Sequence, residues 1–286
     1  MKLLRVGPPG EEQPAVIHEG TTYDTSGLAI DYDRGFWAEN GAERLRLAFA
    51  RRNGTIPEID VSTVRIGPPV PVPSKVVCVG LNYADHVRES GAATPSEPVV
   101  FMKAPNTVVG PNDDVLIPPD AEKTDYEIEL AVIVGRFCRY LPDKSAARRA
   151  IAGYTISNDV SERAYQLERG GQWVKGKSSE TFNPLGPHLA TPDELDDPND
   201  LDLELKVNGE VRQQSNTSQM IFSADHIVWY LSQFMVLEPG DVINTGTPFG
   251  VALGMDPPPF LQPGDVMELS ITGLGSQIQT CKQARR

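Results

Sequence analysis

Two carboxylates interrupt the most strand-like stretch of the chain, the segment TDYEIELAVIVG at residues 124–135. Because side chains alternate across a strand, Glu127 and Glu129 are predicted to project from the same face. If that face is covered, two like charges lie close together in partly dry surroundings, which is costly unless a cation lies between them. An edge strand with both acids in water is the alternative that the spacing leaves open.

A third acid, Asp159, ends a predicted strand in GYTISNDVSERAYQ, ahead of helix-like sequence that contains Arg163 and Gln166. Three carboxylates with no nearby cysteine and few histidines make an oxygen-only site, which suits Mg²⁺, Mn²⁺ or Ca²⁺ rather than zinc. Three protein oxygens leave about three of the six positions on an octahedral ion free. An incomplete shell of this kind suits catalysis, because a chelating substrate and water can enter.

His86 and Glu89 form a second candidate pair, in the segment VGLNYADHVRESG. Asn82 is predicted to cap a short helix that ends at Gly91, and residues three apart are neighbours on one helical face. A carboxylate beside an imidazole orients the ring and raises its proton affinity, which would make His86 a base for a water molecule. An ordinary surface contact between the two side chains is the alternative, because such pairs are common on helices.

The elements that must position these groups are predicted to be mostly short strands. KVVCVGL and DYEIELAVIVG are typical of buried strands, and the alternation in LDLELKVNGEVRQQ around Asn208-Gly209 indicates a hairpin. Both PGDV segments, at 239–242 and 263–266, predict Pro-Gly turns that lead into strands. Helical patterns occur in three segments: GAERLRLAFARRNG, DKSAARRAIAG and SADHIVWYLSQFMVLEPG. Together these patterns predict a mostly β fold with a few covering helices.

A proline-rich segment, GPPVPVPSK at residues 67–75, is predicted to separate two domains. Its four prolines in nine positions cannot continue a helix or a central strand. Residues 1–70 are predicted to form a small N-terminal α+β domain, and residues 71–286 a larger, strand-rich domain. The 286-residue chain, which is 40% hydrophobic, is long enough to bury a core in such an arrangement.

The overall composition argues against several classes of partner. A net charge of −13 disfavours nonspecific binding to nucleic acid or to an anionic membrane, because both attract cationic surfaces. Three widely spaced cysteines without a CxxC pair indicate reduced thiols rather than a disulfide framework. The start, MKLLRVGPPGEEQP, lacks the apolar core of a signal peptide, and no stretch approaches the roughly 18 apolar residues of a membrane span. We therefore expect a soluble cytoplasmic protein.

Taken together, six segments in order resemble the fumarylacetoacetate hydrolase family. They are CVGLNYADHVRESG, YEIELAVIVG, SNDVSERAYQ, WVKGKSSETFNPLGP, NTGTPFGV and LQPGDVMELSITGLG. The resemblance covers residues 75 to about 275 and rests on the order of the six motifs rather than on any one of them. It implies a mixed β-sandwich roll, an active site that depends on Mg²⁺ or Mn²⁺, and a homodimer.

The resemblance also assigns roles to individual residues of this chain. The family's metal triad corresponds to Glu127, Glu129 and Asp159, its catalytic dyad to His86 and Glu89, its substrate-facing pair to Arg163 and Gln166, its active-site lysine to Lys177, and its TGTP threonine to Thr247. Lys175 precedes Lys177 by two positions, which leaves open which lysine points inward. The segment KSSETF departs from the family pattern, in which a large residue often follows the serine, and leaves the size of the pocket open.

The implied reaction is hydrolysis of a carbon–carbon bond in a 2,4-diketo acid. His86, held by Glu89, is expected to take a proton from water, which attacks the C4 carbonyl and expels pyruvate as its enolate. The metal and Lys177 are expected to stabilise that negative charge. Arg163 and Gln166 are expected to position the distal part of the substrate or the oxyanion, and Thr247 to anchor its carboxylate.

The choice of substrate stays open in the sequence. The N-terminal unit and GGQWVKGKSSETFNPLGP most resemble bacterial members that act on 2,4-diketo-3-deoxy-L-rhamnonate or L-fuconate, with pyruvate and L-lactate as products. The alternatives are an oxaloacetate decarboxylase or acylpyruvase, a ureidoglycolate lyase, and a hydratase of 2-hydroxydienoates. A noncatalytic scaffold that binds divalent cations is the alternative from another class of protein.

Overall fold

The strands of the protein are short and occur along the whole chain. The structure is a computed structural model that describes residues 1–51, 56–91 and 93–286. In chain order the strands are β1 (Lys2–Val6), β2 (Gln13–His18), β3 (Thr21–Asp24), β4 (Ile66–Gly67), β5 (Val76–Gly80), β6 (Val99–Lys103), β7 (Val108–Val109), β8 (Val115–Ile117), β9 (Thr124–Asp125), β10 (Ile128–Val134), β11 (Ile151–Asn158), β12 (Ser161–Glu162), β13 (Asn183–Ala190), β14 (Asp202–Val207), β15 (Glu210–Asn216), β16 (Val242–Asn244), β17 (Val266–Ile271) and β18 (Gly275–Gln283).

The helices are few and short, as the sequence predicts. They are α1 (Arg34–Ala38), α2 (Gly41–Arg51), α3 (Ala84–Ser90), α4 (Lys144–Arg148), α5 (Arg163–Leu167), α6 (Val174–Lys177) and α7 (Ala224–Leu231). Among the residues that the structure describes, no helix has the length and apolar character needed to span a lipid bilayer. The three cysteines are buried and unpaired, which agrees with the reduced thiols that their spacing predicts.

One large mixed sheet contains 11 of the strands. Its strands follow the order β3-β2-β1-β13-β11-β10-β16-β5-β6, with β4 paired to β1 and β7 paired to β13. A second sheet has the order β15-β14-β17-β18-β8, and β12 pairs with β9 in a separate ribbon. Most pairs are antiparallel, whereas β16 with β5, β13 with β7 and β18 with β8 are parallel. The expected mostly β, mixed-sheet fold is therefore confirmed.

Strand β10, which follows Glu127, is covered on both faces. It pairs with β11 on one side and with β16 on the other, and all of its residues are buried. The even-numbered residues from Ile128 to Val134 pack into one apolar cluster, while Ala131 and Ile133 pack into a second. The alternation predicted from the sequence is confirmed, and the edge-strand alternative is wrong. Glu129 therefore occupies a position that water does not reach freely.

The first strands of the chain extend the large sheet. β1 pairs with β13 in an antiparallel register that places Lys2 opposite Ala190. Leu3 shares an apolar cluster with Val76 and Ile133, which belong to the central strands. Residues 1–70 contain the short strands and the helix α2 that were expected, together with the helix α1, which was not predicted. They share a sheet and a core with the rest of the described residues. The domain boundary near residue 70 stays a prediction.

Two local predictions have different outcomes. Asn208 and Gly209 have φ values of 53° and 79°, as the two central residues of a type I′ hairpin require, and they join β14 to β15. The predicted apolar helix near residue 230 is shorter than expected, because the backbone N–H groups of Gln233 and Phe234 bond to carbonyls three residues earlier. The helix α7 ends at Leu231, so Phe234 is outside it and is 67% exposed.

Candidate active site

A cavity of about 430 Å³ brings the predicted site residues together. Its walls come from β5, α3, β6, the start of β10, α5, α6 and the loop that follows β16. All of the predicted side chains except Asp159 line it: His86, Glu89, Glu127, Glu129, Arg163, Gln166, Lys177 and Thr247. Asp159 is fully buried and lies beneath Lys177. Residues from distant parts of the sequence therefore form one site.

The three acids of the predicted triad converge at the bottom of this cavity. One carboxylate oxygen from each of Glu127, Glu129 and Asp159 lies within 4.8 Å of the others. Glu127 directly precedes β10, and Asp159 directly follows β11, its antiparallel neighbour. The N–H of Asp159 donates to the carbonyl of Glu127 at 2.9 Å, which fixes the two chain segments side by side. Strand pairing thus creates the triad.

The donor set fits a divalent cation that prefers oxygen ligands. Burial raises the pKa of Glu129 well above its usual value, and the neighbouring charges of Asp159 and Glu127 raise it further. A bound cation would relieve that repulsion. Oxygens around an octahedral ion with bonds of about 2.1 Å are roughly 3 to 4 Å apart, so small side-chain movements would close the triad. These carboxylates would hold a divalent cation.

Lys177 is the lysine that points inward. Its Nζ lies 2.6 Å from Oε2 of Glu127 and 2.9 Å from Oδ2 of Asp159. Burial lowers the pKa of Lys177, but the charges of Asp159 and Glu127 outweigh burial and hold it above its usual value. Lys175 instead donates to the carbonyl of Arg169 at 2.7 Å near the surface. The structure therefore distinguishes the two lysines that the sequence could not.

Lys103 is a site residue that the sequence patterns did not identify. Its Nζ donates to Oδ1 of Asp159 and, at 3.0 Å, to the carbonyl of Val160. Only 1% of Lys103 is exposed, although it ends the otherwise apolar strand β6. A lysine at the end of a strand of sequence VVFMK is the signal that could have identified it.

Arg163 lies between two carboxylates rather than free in the cavity. Its guanidinium is 2.8 Å from Asp125 and 2.7 Å from Glu127, and its Nη1 donates to Oε1 of Gln166 at 3.1 Å. Asp125 also accepts from the N–H groups of Ala252 and Leu253 at 2.8 and 3.0 Å. The predicted pair Arg163 and Gln166 is therefore in contact, and Asp125, which was not predicted, joins it to the loop at the cavity mouth.

His86 and Glu89 form the predicted contact on α3. Nδ1 of His86 lies 3.1 Å from Oε2 of Glu89, and their side chains are 15% and 19% exposed. Gly91 has a φ of 63° and ends the helix, as predicted. The prediction that Asn82 caps the helix is wrong: Tyr83 is in that position, and the Asn82 amide bonds to backbone groups of neighbouring segments instead.

A glycine-containing loop holds the Glu89 carboxylate. The N–H of Gly250 donates to Oε1 of Glu89 at 3.0 Å, on the side away from His86. A Cβ atom added at Gly254 would lie 2.7 Å from Cδ of Glu89, so only glycine fits there without displacing the carboxylate. This loop therefore sets the position of the dyad.

Thr247 anchors the same loop to β10. Its Oγ1 donates to the carbonyl of Ile128 at 2.9 Å and accepts from Nε2 of Gln213 at 2.9 Å. The Gln213 amide completes the arrangement, because its oxygen accepts from the N–H of Ile128 at 3.0 Å. Thr247 faces the cavity, but its proton is already used in this network. Its predicted role as an anchor for the substrate carboxylate stays a prediction.

Comparison with known proteins shows the family of the chain. The family model described as fumarylacetoacetate (FAA) hydrolase C-terminal matches residues 75–282. The chain belongs to the fumarylacetoacetate hydrolase family. The resemblance seen in the six sequence motifs is thereby confirmed at the level of the family, whose members include hydrolases and isomerases.

Similar proteins extend over the full length of the chain. A protein of Burkholderia multivorans, provisionally named a hydrolase, is 46% identical over 287 residues that cover 100% of both chains. The structure of fumarylacetoacetate hydrolase from Exiguobacterium antarcticum matches with a TM-score of 0.81 and 36% identity, and covers 99% of this chain and 100% of that one. Maleylpyruvate hydrolase from Sphingobium sp. SYK-6, solved with manganese(II) and pyruvate, matches with a TM-score of 0.81, 25% identity and complete coverage of both chains.

Proposed function

We propose that the protein is a metal-dependent hydrolase that cleaves a carbon–carbon bond of a 2,4-diketo acid and releases pyruvate. The observation that carries the proposal is the meeting of an acidic triad, a buried lysine and a His–Glu pair around one cavity. The similarity to a maleylpyruvate hydrolase solved with manganese(II) and pyruvate supports both the cation and the product.

The residues of the chain divide the chemistry between them. A divalent ion held by Glu127, Glu129 and Asp159 supplies Lewis-acid polarisation and positive charge when it is bound. His86, oriented by Glu89, accepts a proton from the water that attacks C4. The water oxygen adds to C4 to give a tetrahedral adduct, and collapse of this adduct breaks the C3–C4 bond and passes its electron pair to the pyruvate enolate. Return of the proton from His86 to C3 completes pyruvate. The ammonium group of Lys177, at the floor of the cavity, stabilises that negative charge.

Decarboxylation of oxaloacetate is the second candidate on the same scaffold. It needs stabilisation of the same enolate but no attacking water, so the dyad would have no function in it. The contact between His86 and Glu89, together with the loop that holds Glu89, favours hydrolysis. The activities of a ureidoglycolate lyase and of a 2-hydroxydienoate hydratase remain further alternatives, which the sequence resemblance left open.

Pyruvate release distinguishes these reactions. Purified protein with Mg²⁺ or Mn²⁺ is incubated with an acylpyruvate or with oxaloacetate, and pyruvate is measured. We expect release from the acylpyruvate and its loss in the variant His86→Ala. Pyruvate from oxaloacetate alone, with full activity in His86→Ala, would instead support decarboxylation.

A cation-binding scaffold without catalysis predicts a different binding behaviour. Oxalate mimics an enolate, so an active site of this kind should bind oxalate more tightly when Mg²⁺ is present. Calorimetric titration with each compound alone and with both measures this coupling. Independent binding of the two, together with the absence of turnover, would favour the scaffold.

Two finer assignments accompany the proposal. The sequence resemblance supports 2,4-diketo-3-deoxy-L-rhamnonate or L-fuconate as the substrate, with L-lactate as the second product. It also supports a homodimer, and the sparse, widely spaced cysteines support a location in the cytoplasm. Turnover of the two sugar acids tests the first assignment, and light scattering coupled to size-exclusion chromatography tests the dimer.

A further inference from the structure

The cavity has a charged floor and an apolar mouth. At the floor, Glu127 is 6% exposed and Glu129 is 2% exposed. Leu167 and Leu253 also line the cavity, but they are 46% and 42% exposed. Because exposure increases towards solvent, the acids lie deep and the leucines lie at the entrance. A substrate whose charged end reaches the floor therefore extends its other end past apolar side chains.

An aromatic wall connects the floor to the mouth. The rings of Phe101 and Trp173 meet edge to face, with centroids 5.2 Å apart. Lys177 lies at the lower end of this wall, with its Nζ 5.0 Å from the centroid of Phe101. At Gly80 an added Cβ atom would lie 2.7 Å from Cζ3 of Trp173, so the indole packs directly on the β5 backbone. The wall is therefore closely packed and offers mainly apolar surface to a ligand.

The cationic side chains of the floor are already paired with acids. Arg163 bonds to Asp125 and Glu127, and Lys177 bonds to Glu127 and Asp159. Arg163 and Lys177 are the only arginine and lysine among the lining residues that the structure describes. Neither is free to receive a second carboxylate at the far end of a substrate.

The net charge of the floor network suits one carboxylate rather than two. We define this network as the triad and the groups joined to it by ion pairs: Asp125, Glu127, Glu129, Asp159, Lys103, Arg163 and Lys177. When ionised, its four acids exceed its three cationic side chains by one negative charge. A divalent ion in the triad leaves a single positive charge on this network, while the described lining of the cavity contains a further acid, Glu89, and no further lysine or arginine. The floor therefore has positive charge for one substrate carboxylate at most.

We propose that the substrate is a singly charged 2,4-diketo acid whose arm beyond C4 is apolar, either aliphatic or aromatic. The inference rests on the proposed function and specifies its substrate class. Moving an apolar arm from water to the wall of Phe101, Trp173 and Leu253 is favourable in free energy. A second carboxylate would lose its hydration without meeting an unpaired cation, and a polyhydroxylated arm would lose hydrogen bonds to water against the same wall. The structure thus favours an apolar arm over the sugar acid that the sequence resemblance suggests.

Binding of two stable 2-oxo acids tests the arm separately from catalysis. Neither 2-oxo-4-phenylbutanoate nor 2-oxoadipate has the C4 carbonyl that hydrolysis needs. The first compound ends in an apolar phenyl ring, and the second ends in a charged carboxylate. In calorimetry with Mg²⁺ present, we expect the phenyl compound to bind at least about tenfold more tightly. The inference is overturned if 2-oxoadipate binds more tightly, or if the protein binds oxalate but binds neither of the two compounds.

Two variants at matched leucines locate the effect in the cavity. Leu253→Arg places a cation at the mouth and should shift the binding ratio towards 2-oxoadipate by about tenfold or more. Leu28→Arg is the control, because Leu28 has nearly the same exposure, 41%, and does not line the cavity. Equal ratios in the two variants would contradict the assigned position of the arm.

Trp173→Ala should weaken binding of the phenyl compound while oxalate binding is retained.

Turnover separates this inference from the proposed function. Benzoylpyruvate and hexanoylpyruvate have apolar arms, fumarylpyruvate has a second carboxylate, and 2,4-diketo-3-deoxy-L-rhamnonate has a polyhydroxylated arm. We expect the highest kcat/KM for the first two. Pyruvate release from none of the four would overturn the proposed hydrolysis, while the binding ratio still decides the arm. A preference for fumarylpyruvate or the sugar acid would overturn the arm alone.

Discussion

Lys103 and Asp159 form an ion pair that the protein encloses completely, with both side chains 0% exposed. Burial lowers the pKa of Lys103, whereas the charge of Asp159 opposes that effect. The pair fixes one oxygen of a triad carboxylate, and Lys177 approaches the other. The protein therefore compensates part of the triad's negative charge with its own cations.

Replacing Lys103 should strongly destabilise the metal-free protein. The variant Lys103→Met leaves Asp159 buried with one fewer cation, and loss of one partner of a buried pair typically costs about 3 to 5 kcal/mol. We expect a decrease of that size in the free energy of unfolding, measured with urea in the presence of EDTA. Lys282→Met removes an exposed ion pair with Asp114 and serves as the control. Equal losses in both variants would show that the buried pair has no special importance.

Removing Glu127 should abolish both metal binding and catalysis. The variant Glu127→Ala leaves two carboxylates in the triad and also deprives Arg163 and Lys177 of a partner. Calorimetry with Mn²⁺ and a pyruvate-release assay measure the two properties. The control Glu11→Ala alters an exposed acid away from the cavity and should change neither. Turnover that survives in Glu127→Ala would end the metal hypothesis.

His86→Asn should separate proton transfer from metal binding. Loss of a general base commonly reduces kcat by about 10² to 10⁴-fold. We expect a decrease in that range without a change in Mn²⁺ affinity, because His86 is outside the triad. His18→Asn, at a half-exposed histidine of β2 outside the cavity, should retain full activity. A normal kcat in His86→Asn would remove this residue from the mechanism.

A single methyl group at Gly254 should impair the dyad. In Gly254→Ala the new Cβ would lie 2.7 Å from Cδ of Glu89, so the carboxylate must move away from its present position beside His86. Misplacement by about 1 Å can cost up to roughly 100-fold in rate. We expect kcat to fall while Mn²⁺ affinity is kept. Gly27→Ala meets no atom within 4 Å and is the control; an equal effect of both substitutions would refute this explanation.

His188 should make the protein less stable in weak acid. Burial, aided by the charge of Lys2, lowers the pKa of His188 to about 4, and its Nε2 has no hydrogen-bond partner among the described residues. Well above pH 6.5 the histidine is neutral in both the folded and the unfolded chain. Between pH 6.5 and 4 the unfolded chain binds a proton that the folded chain refuses, so stability falls as pH falls, by up to roughly 3 kcal/mol.

The variant His188→Gln isolates this contribution. We expect its free energy of unfolding to decrease less than that of the unaltered protein between pH 7 and pH 4.5, as measured by urea denaturation. The variant need not match the unaltered protein in stability at pH 7, because only the dependence on pH is compared. Parallel pH profiles for the two proteins would refute the assigned role of His188.

Much of the site could be predicted because several of its side-chain pairs follow the short repeat of a strand or a helix. Glu127 and Glu129 share a face because strand side chains alternate, and His86 meets Glu89 because helical neighbours are three apart. The failed cap at Asn82 shows the limit of such rules. Its side chain bonds to Phe222 and Thr245, which are far away in the sequence, so tertiary contacts override the local preference.

The sequence by itself determined the alternation of β10, the neighbours on α3 and the chemical types of the site, because these depend on residues close together in the chain. Only the tertiary structure decided that Lys177 rather than Lys175 faces the triad, and that Lys103 lies beneath Asp159. The apolar mouth of the cavity likewise could not be predicted from the sequence, because its side chains come from separate segments. Their positions depend on strand pairing and packing between distant segments, which no local period encodes.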